Sequence, residues 1–270
     1  MAYGTSIVLA RVDGWGITTP DLSTAIETIV SAAKSAPPFT VFTLNLDHIV
    51  KLRRAKNFRV AYRNAAIVTA DGAPVAWLAR FQNKSIERTT GADIFLPLMD
   101  AAARDRLPVF VCGTSADVIT RAGSKLCERT SGRLNISGTY APSQNFDPNG
   151  PEADAVIARI RRSSAKLCVI GIGAPKQEIL AERVRSSGVT CGIICIGAAL
   201  DFIAETQTRA PAVFRNHGLE WAWRLAGDPR RLARRYANCA VVLADLAVVA
   251  PLRQRLASAA ARIESGSHRR

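Results

Sequence analysis

Four places in the 270-residue sequence set polar or small residues at the ends of apolar runs, where they could do chemistry. Thr43 and Asn45 close the run Phe39-Thr-Val-Phe-Thr-Leu44. Two residues apart, they point the same way on an extended strand, as a pocket wall or as a strand-end cap. Asp71 follows Ala66-Ile-Val-Thr-Ala70 and precedes Gly72. A carboxylate at a strand mouth can take a proton from a sugar hydroxyl, a role worth about 10²–10⁴ in rate. Asp-Gly is equally a common turn pair. Gly171-Ile-Gly-Ala-Pro-Lys-Gln177 combines small residues, backbone N–H groups and a helix start. That suits a phosphate or a polar nucleotide group, and also a plain tight turn. The fourth place is Gly197 to Asp201.

These residues need a frame. Short apolar runs at about 39–44, 66–70, 108–112, 133–137, 167–171 and 189–196 read as strands. Helical spacing fills about 20–35, 46–63, 73–80, 91–106, 115–130, 151–163 and 175–187. Strands without polar alternation, separated by helices, predict an α/β fold: a mostly parallel, Rossmann-like sheet with helices on both faces. Ligands then bind at the carboxyl ends of the strands, which is where the four places lie. Residues 137–150 and 203–211 read as loops, the second as a hinge. Beyond it strand signals vanish, which predicts an α/β domain over 1–208 and a helical appendage over 209–270.

Charge sharpens that division. The chain carries +14, with 29 Arg against 7 Lys, and residues 209–270 hold +8 of it in 12 Arg and 4 acids. An Arg-rich segment calls for an anionic partner: nucleic acid, a phosphorylated ligand or a lipid surface. Arg231 and Arg234 are three apart, share a helical face and could grip one diphosphate, or could simply be a solvated basic surface. No Asp-x-Asp triplet occurs, so the usual carboxylates for a metal-bound nucleotide diphosphate are missing. The three His (48, 217, 268) are too scattered for a metal site or a Ser-His-Asp triad. The glycine fingerprint of a dinucleotide-binding oxidoreductase is absent too.

In this order and spacing, Thr43-x-Asn45, Ala70-Asp71-Gly72, Glu87-Arg88-x-x-Gly91-x-Asp93, Gly173-Ala-Pro-Lys-Gln-Glu178, Gly197 to Asp201, Arg209-Ala-Pro211, Gly218-Leu-Glu-Trp221 and Arg224 resemble the WecG/TagA/CpsF glycosyltransferases. The resemblance runs from about residue 7 to 236. It implies a GT-E type fold and an inverting, metal-independent transfer without cofactor. A hexose or N-acetylhexosamine would move from a UDP-sugar to a polyprenyl-diphosphate-linked sugar in bacterial cell-surface or exopolysaccharide synthesis. Asp71 would be the catalytic base, with Thr43 and Asn45 in the sugar pocket and Arg88 near it. Gln177 would lie in the nucleotide-side loop, Asp201 would bind substrate, and Arg224, Arg231 and Arg234 would close over the diphosphate. Two departures bear on which sugar fits: Glu205 stands where members often carry Gly, and Ala199-Leu200 replaces a more usual Gly with a small or aromatic residue. N-acetylmannosamine, its uronic acid and glucose all occur as donors in the family, so the donor stays open, as do the acceptor and a homo-oligomer.

The remaining features place the chain in the cell. The first ten residues lack a signal peptide's basic start and apolar core, and no uncharged apolar run reaches the roughly 20 residues of a membrane span. Six Cys inside apolar runs predict buried reduced thiols and a cytoplasmic protein. Ala237 to Leu252 is apolar around nearly its whole helical circumference, with Arg253 and Arg255 beyond. Such a segment lies on an anionic membrane surface or packs on protein. The alternative function is nucleic-acid binding through the tail, but no reading module accompanies it.

Overall fold

Residues two apart on a strand face the same side of a sheet, and here both sides are apolar. The computed structural model describes residues 7–35 and 38–249. Its strands are β1 (Ala10–Val12), β2 (Trp15–Ile17), β3 (Phe39–Leu44), β4 (Ile67–Ala70), β5 (Val109–Cys112), β6 (Ile136–Tyr140), β7 (Leu167–Ile170) and β8 (Gly192–Cys195). The last six form one all-parallel sheet in the order β4-β3-β8-β7-β5-β6. Its helices are α1 (Leu22–Ser35), α2 (Leu46–Arg54), α3 (Lys56–Arg63), α4 (Ala73–Arg80), α5 (Gly91–Arg104), α6 (Ala116–Arg129), α7 (Pro151–Ser163) and α8 (Lys176–Ser186). After β8 come α9 (Ala199–Ile203), α10 (Ala212–Asn216), α11 (Glu220–Gly227) and α12 (Pro229–Ala244).

Phe42, Leu44, Val68, Phe110, Ile170 and Ile193 project into one apolar layer with α2, α3, α4, α7 and α8. Val41, Ile67, Val109, Val111, Val169 and Ile194 project into the other with α1, α5, α6 and α9. Helices on both faces of a Rossmann-like parallel sheet are therefore observed as expected. Asp21 Oδ1 accepts from Thr24 N at 2.7 Å at the start of α1, and Pro151 opens α7.

Several expectations need correction. The fourth strand of the sequence reading, placed at 133–137, lies at 136–140, so the segment read as a loop from 137 begins as sheet. It is a polar, half-exposed edge strand, and its residues lack the apolar run that marks its neighbours. The helix expected over 46–63 breaks at Ala55, whose backbone is extended (φ −104°, ψ 116°). No Pro or Gly dictates that break. The antiparallel hairpin β1–β2 was not anticipated: Asp13 (φ 53°) and Gly14 (φ 80°) form its two-residue turn, with the positive φ at both positions that a type I′ turn requires. Cys127 is exposed on α6, whereas the other five thiols are buried as expected.

The apolar C-terminal segment, expected on a membrane surface or on protein, packs on protein along one face of α12. Leu232, Cys239 and Val242 of α12 are buried, the last two in the layer that contains α2. Arg53 of α2 ties both neighbours down, reaching Asp13 in the hairpin turn at 2.8 Å and Asp245 beyond α12 at 2.7 Å. Val241, Val248 and Val249 remain exposed. Leu252, Arg253 and Arg255 lie outside the described residues. Among those described, no helix is long and apolar enough to cross a membrane.

The centre of the sheet leaves no room at Gly192, where a Cβ would stand 2.3 Å from Phe39 Cζ. Gly192→Ala should therefore cost about 1–3 kcal/mol in urea unfolding, with the slope unchanged. Adding Phe39→Leu should recover part of that loss. Wild-type stability in the single variant would contradict the packing.

Candidate functional site

The register of two parallel strands builds the first part of the site. Thr43 pairs with Thr69 and Leu44 with Ala70, so β3 and β4 end side by side. Asp71 N–H donates to Leu44 O at 2.8 Å, fixing the carboxylate just past both ends. Thr43 Oγ1 and Asn45 Nδ2 each donate to Asp71 Oδ2 at 3.2 Å. No hydrogen bond reaches Asp71 Oδ1 among the described residues. Asn45 is also the N-cap of α2, its Oδ1 accepting from His48 N at 2.9 Å. The polar positions that follow the apolar run of β3 thus serve the strand end, the helix start and the carboxylate together.

Burial pushes the Asp71 carboxyl above the ordinary aspartate range. The Asn45 and Thr43 hydrogen bonds and the Arg224 charge oppose that rise, and the Glu220 charge adds to it. Glu220 and Arg224 come from α11 and pair with each other at 2.7 Å. What brings α11 to the mouth is Gly218, in the left-handed region at φ 71°. A Cβ there would stand 2.5 Å from the Ala73 Cβ, two residues after Asp71.

Three arginines are gathered nearby. Asp93, in the first turn of α5, forms a capping box with Thr90 and holds Arg209 at 2.5 Å and Arg88 at 3.4 Å. Burial alone would raise its carboxyl, but Arg209, Thr90 and Arg88 hold it below the usual range. Arg209 and Arg224 both lie over the Phe202 ring, with guanidinium carbons 6.0 and 5.5 Å from its centroid. Two of the arginines named from sequence, Arg88 and Arg224, belong to this group. Arg231 and Arg234 do not: both are exposed on α12, Arg231 pairing with Asp228 at 2.6 Å. The α12 arginine that meets the α/β domain is Arg235, 2.9 Å from Asp47. Its place in the helix is legible, since Leu232, Arg235, Cys239 and Val242 recur at helical spacing on the packed face.

The glycine-rich segment runs from β7 into α8. Gln177 is buried, and its Nε2 donates to Glu178 Oε1 at 2.8 Å. Gln177 Oε1 and Glu178 Oε2 have no partner among the described residues. Lys51 ties this segment to α2 by donating to Ala174 O at 3.1 Å while pairing with Asp47. Asp201, also buried, accepts from Thr114 Oγ1 at 3.1 Å at the mouth of β5, and its carbonyl accepts from Thr206 N and Gln207 N. It thereby anchors the loop read as a hinge. In that loop Glu205 has φ 58° and pairs with Lys125 at 2.6 Å. A Gly at this position would relieve a left-handed backbone, so the departure at Glu205 carries a conformational cost apart from any effect on sugar choice. Sequence reasoning gave no role to Arg209, Glu220 or His48. Arg209 and Glu220 stood within quoted motifs, whereas the lone His48 carried no signal beyond following the α2 cap.

Asn45→Ala removes one donor from Asp71 and the cap from α2. The Asp71 carboxyl should titrate at higher pH, read by ¹³C NMR of labelled aspartates, and stability should fall by about 1 kcal/mol. An unmoved Asp71 titration would contradict the geometry.

A family model described as the Glycosyl transferase WecG/TagA/CpsF family matches residues 10–258. The match runs from the hairpin through all six strands of the sheet and beyond α12, and so takes in the Asp71 mouth, the three arginines and the α8 loop. On the strength of that match across nearly its whole length, the chain belongs to the WecG/TagA/CpsF family of glycosyltransferases.

Proposed function

We propose that the chain is an inverting, metal-independent hexosyltransferase that uses a UDP-sugar donor and a polyprenyl-diphosphate-linked sugar acceptor. Asp71 is the base. The acceptor hydroxyl gives its proton to Asp71 as its oxygen bonds to the anomeric carbon. The bond from that carbon to the UDP oxygen breaks, and UDP departs with the electron pair. One displacement of this kind inverts the anomeric centre. The observation that carries this reading is the arrangement of donors on Asp71. Thr43 and Asn45 both occupy Oδ2, leaving Oδ1 to receive a proton. A carboxyl raised above the ordinary range is also the better base near neutral pH.

The leaving diphosphate needs compensating charge, and in a sequence without Asp-x-Asp the arginines supply it. Arg88 and Arg224 stand close to Asp93 and Asp71, and Arg231 and Arg234, exposed on α12, would join them over the diphosphate by a movement of that helix. Gln177 serves the nucleotide side, and Asp201 holds the loop that frames the substrate. Exposed Trp221, Trp223, Val241 and Val248 on the appendage suit a protein resting peripherally on the inner, anionic face of a cell membrane. The excess charge then serves a diphosphate and a lipid surface, not a polynucleotide.

Asp71→Asn should lower kcat by about 10²–10⁴-fold and leave UDP affinity unchanged in calorimetry. Turnover near wild type would overturn the assignment of the base. Arg231→Ala with Arg234→Ala should weaken UDP binding about 10-fold or more. Unchanged affinity would remove the appendage from the diphosphate site. A screen of UDP-N-acetylmannosamine, its uronic acid and UDP-glucose against a short lipid-diphosphate acceptor identifies the donor.

A further inference from the structure

A buried imidazole lies directly behind the two side chains that hold Asp71. His48, in the first turn of α2, is 5% exposed and packs its ring edge-on against Phe58 and Tyr62. Its Nδ1 is 2.6 Å from Thr43 O and 2.7 Å from Tyr62 Oη. Tyr62 Oη donates to the same Thr43 carbonyl at 2.9 Å.

The tautomer follows from the acceptor. A carbonyl oxygen carries no hydrogen, so a nitrogen 2.6 Å away must donate to it. Nδ1 therefore bears the proton, which lies between the Thr43 carbonyl and the tyrosine oxygen, and Nε2 is unprotonated. Burial first, and then the Lys51 charge, push the ring's pKa down to about 3 against the opposing effects of Asp47 and Thr43, so the ring is neutral at working pH. Nε2 faces Glu178 Oε1 at 3.9 Å, and burial pushes that carboxyl up to about 7.

The Thr43 carbonyl needs this clamp because the sheet does not supply one. Leu44 O faces β4, where it accepts from Asp71 N. Carbonyls alternate along a strand, so Thr43 O faces β8. The ladder between β3 and β8 ends at the pair Val41–Ile194, two residues earlier. His48 and Tyr62 take the place of the absent strand. The same histidine also donates its backbone N–H to Asn45 Oδ1. Both donors to Asp71 are thus tied to one residue, Thr43 by the ring and Asn45 by the main chain.

We propose that His48 is a positioning residue: as its Nδ1–H tautomer it clamps the Thr43 carbonyl past the end of the β3–β8 ladder, and so keeps Thr43 and Asn45 aimed at Asp71. The geometry stands alone, but its consequence for catalysis rests on Asp71 acting as the base proposed above.

The test compares two replacements in the full chain. An Asn amide nitrogen falls close to the position of Nδ1, whereas a Gln amide nitrogen falls close to Nε2. In His48→Gln the Asp71 carboxyl, followed by ¹³C NMR and identified by its loss in Asp71→Asn, should titrate about half a pH unit or more above wild type. In His48→Asn it should stay close to wild type. With UDP-N-acetylmannosamine as donor, kcat of His48→Gln should fall about 10- to 100-fold at nearly unchanged KM, and His48→Asn should restore most of it. Equal displacement of the Asp71 titration in both variants, or none in either, would overturn the proposal. If the wild type turns over none of the UDP-sugars screened above, the proposed activity fails while the titrations still decide the role of His48. Should His48→Gln not fold, ¹⁵N spectra of the wild-type ring decide: an Nδ1–H tautomer that does not titrate between pH 5 and 8 is expected, and an Nε2–H tautomer would overturn it.

Discussion

A carboxylate at the edge of an apolar sheet loses hydration, and only hydrogen bonds or opposite charges can offset that loss. Asp71 meets this constraint through the pairing of two neighbouring strands. With Thr43 opposite Thr69, the side chains of Thr43 and Asn45 both reach Oδ2. A slip of one residue would turn Thr43 to the other face of the sheet and leave the carboxylate without that donor. The rest of the molecule keeps the register. The hairpin joins β4 through Thr18, which accepts from Val68 N–H at 2.9 Å, and α2 begins on the same Asn45 that bonds Asp71.

Around this anchor the charges fall into two groups with different neighbours. Arg88, Arg209 and Arg224 are spaced by Asp93, Phe202 and Glu220, so none is left to repel another without an intervening partner. Asp47, Lys51 and Arg235 form a second group that joins α2, the α8 loop and α12. Burial pushes the Asp47 carboxyl up, but Arg235 and Lys51 outweigh it and hold it below its usual range. Asp47 therefore contributes stability above the ordinary aspartate range that is lost as pH falls through its lowered value. Movement of α12 would reach the loop before α8 through this group rather than through Asp71.

Strands β3, β4, β5, β7 and β8 were legible because they are buried on both faces and need unbroken apolar runs. The edge strand β6 escaped at its true place because Ser137, Gly138 and Thr139 carry no such run. The hairpin was written in Asp13-Gly14, but three-residue strands give periodicity too little length to register. At the site, local spacing set Thr43 and Asn45 on one side of a strand end, but their meeting with Asp71 depends on the register of β3 and β4, which spacing does not show. It was not enough for the arginines. Arg209 and Arg88 meet only through Asp93, and the outward position of Arg231 and Arg234 emerges once Leu232, Cys239 and Val242 define the packed face. His48 was hidden for a simpler reason: a single histidine is silent until the carbonyl it serves is known.

The claim that most of this account depends on is that the ionised form of Asp71 performs the transfer. Two curves from one protein test it: the pH dependence of kcat for transfer from a UDP-sugar, and the titration of the Asp71 carboxyl followed by ¹³C NMR. The rate should fall as pH drops through the raised Asp71 pKa, with the two midpoints coinciding when the titration is followed in the donor-saturated complex. A rate that stays level while Asp71 becomes protonated would contradict it.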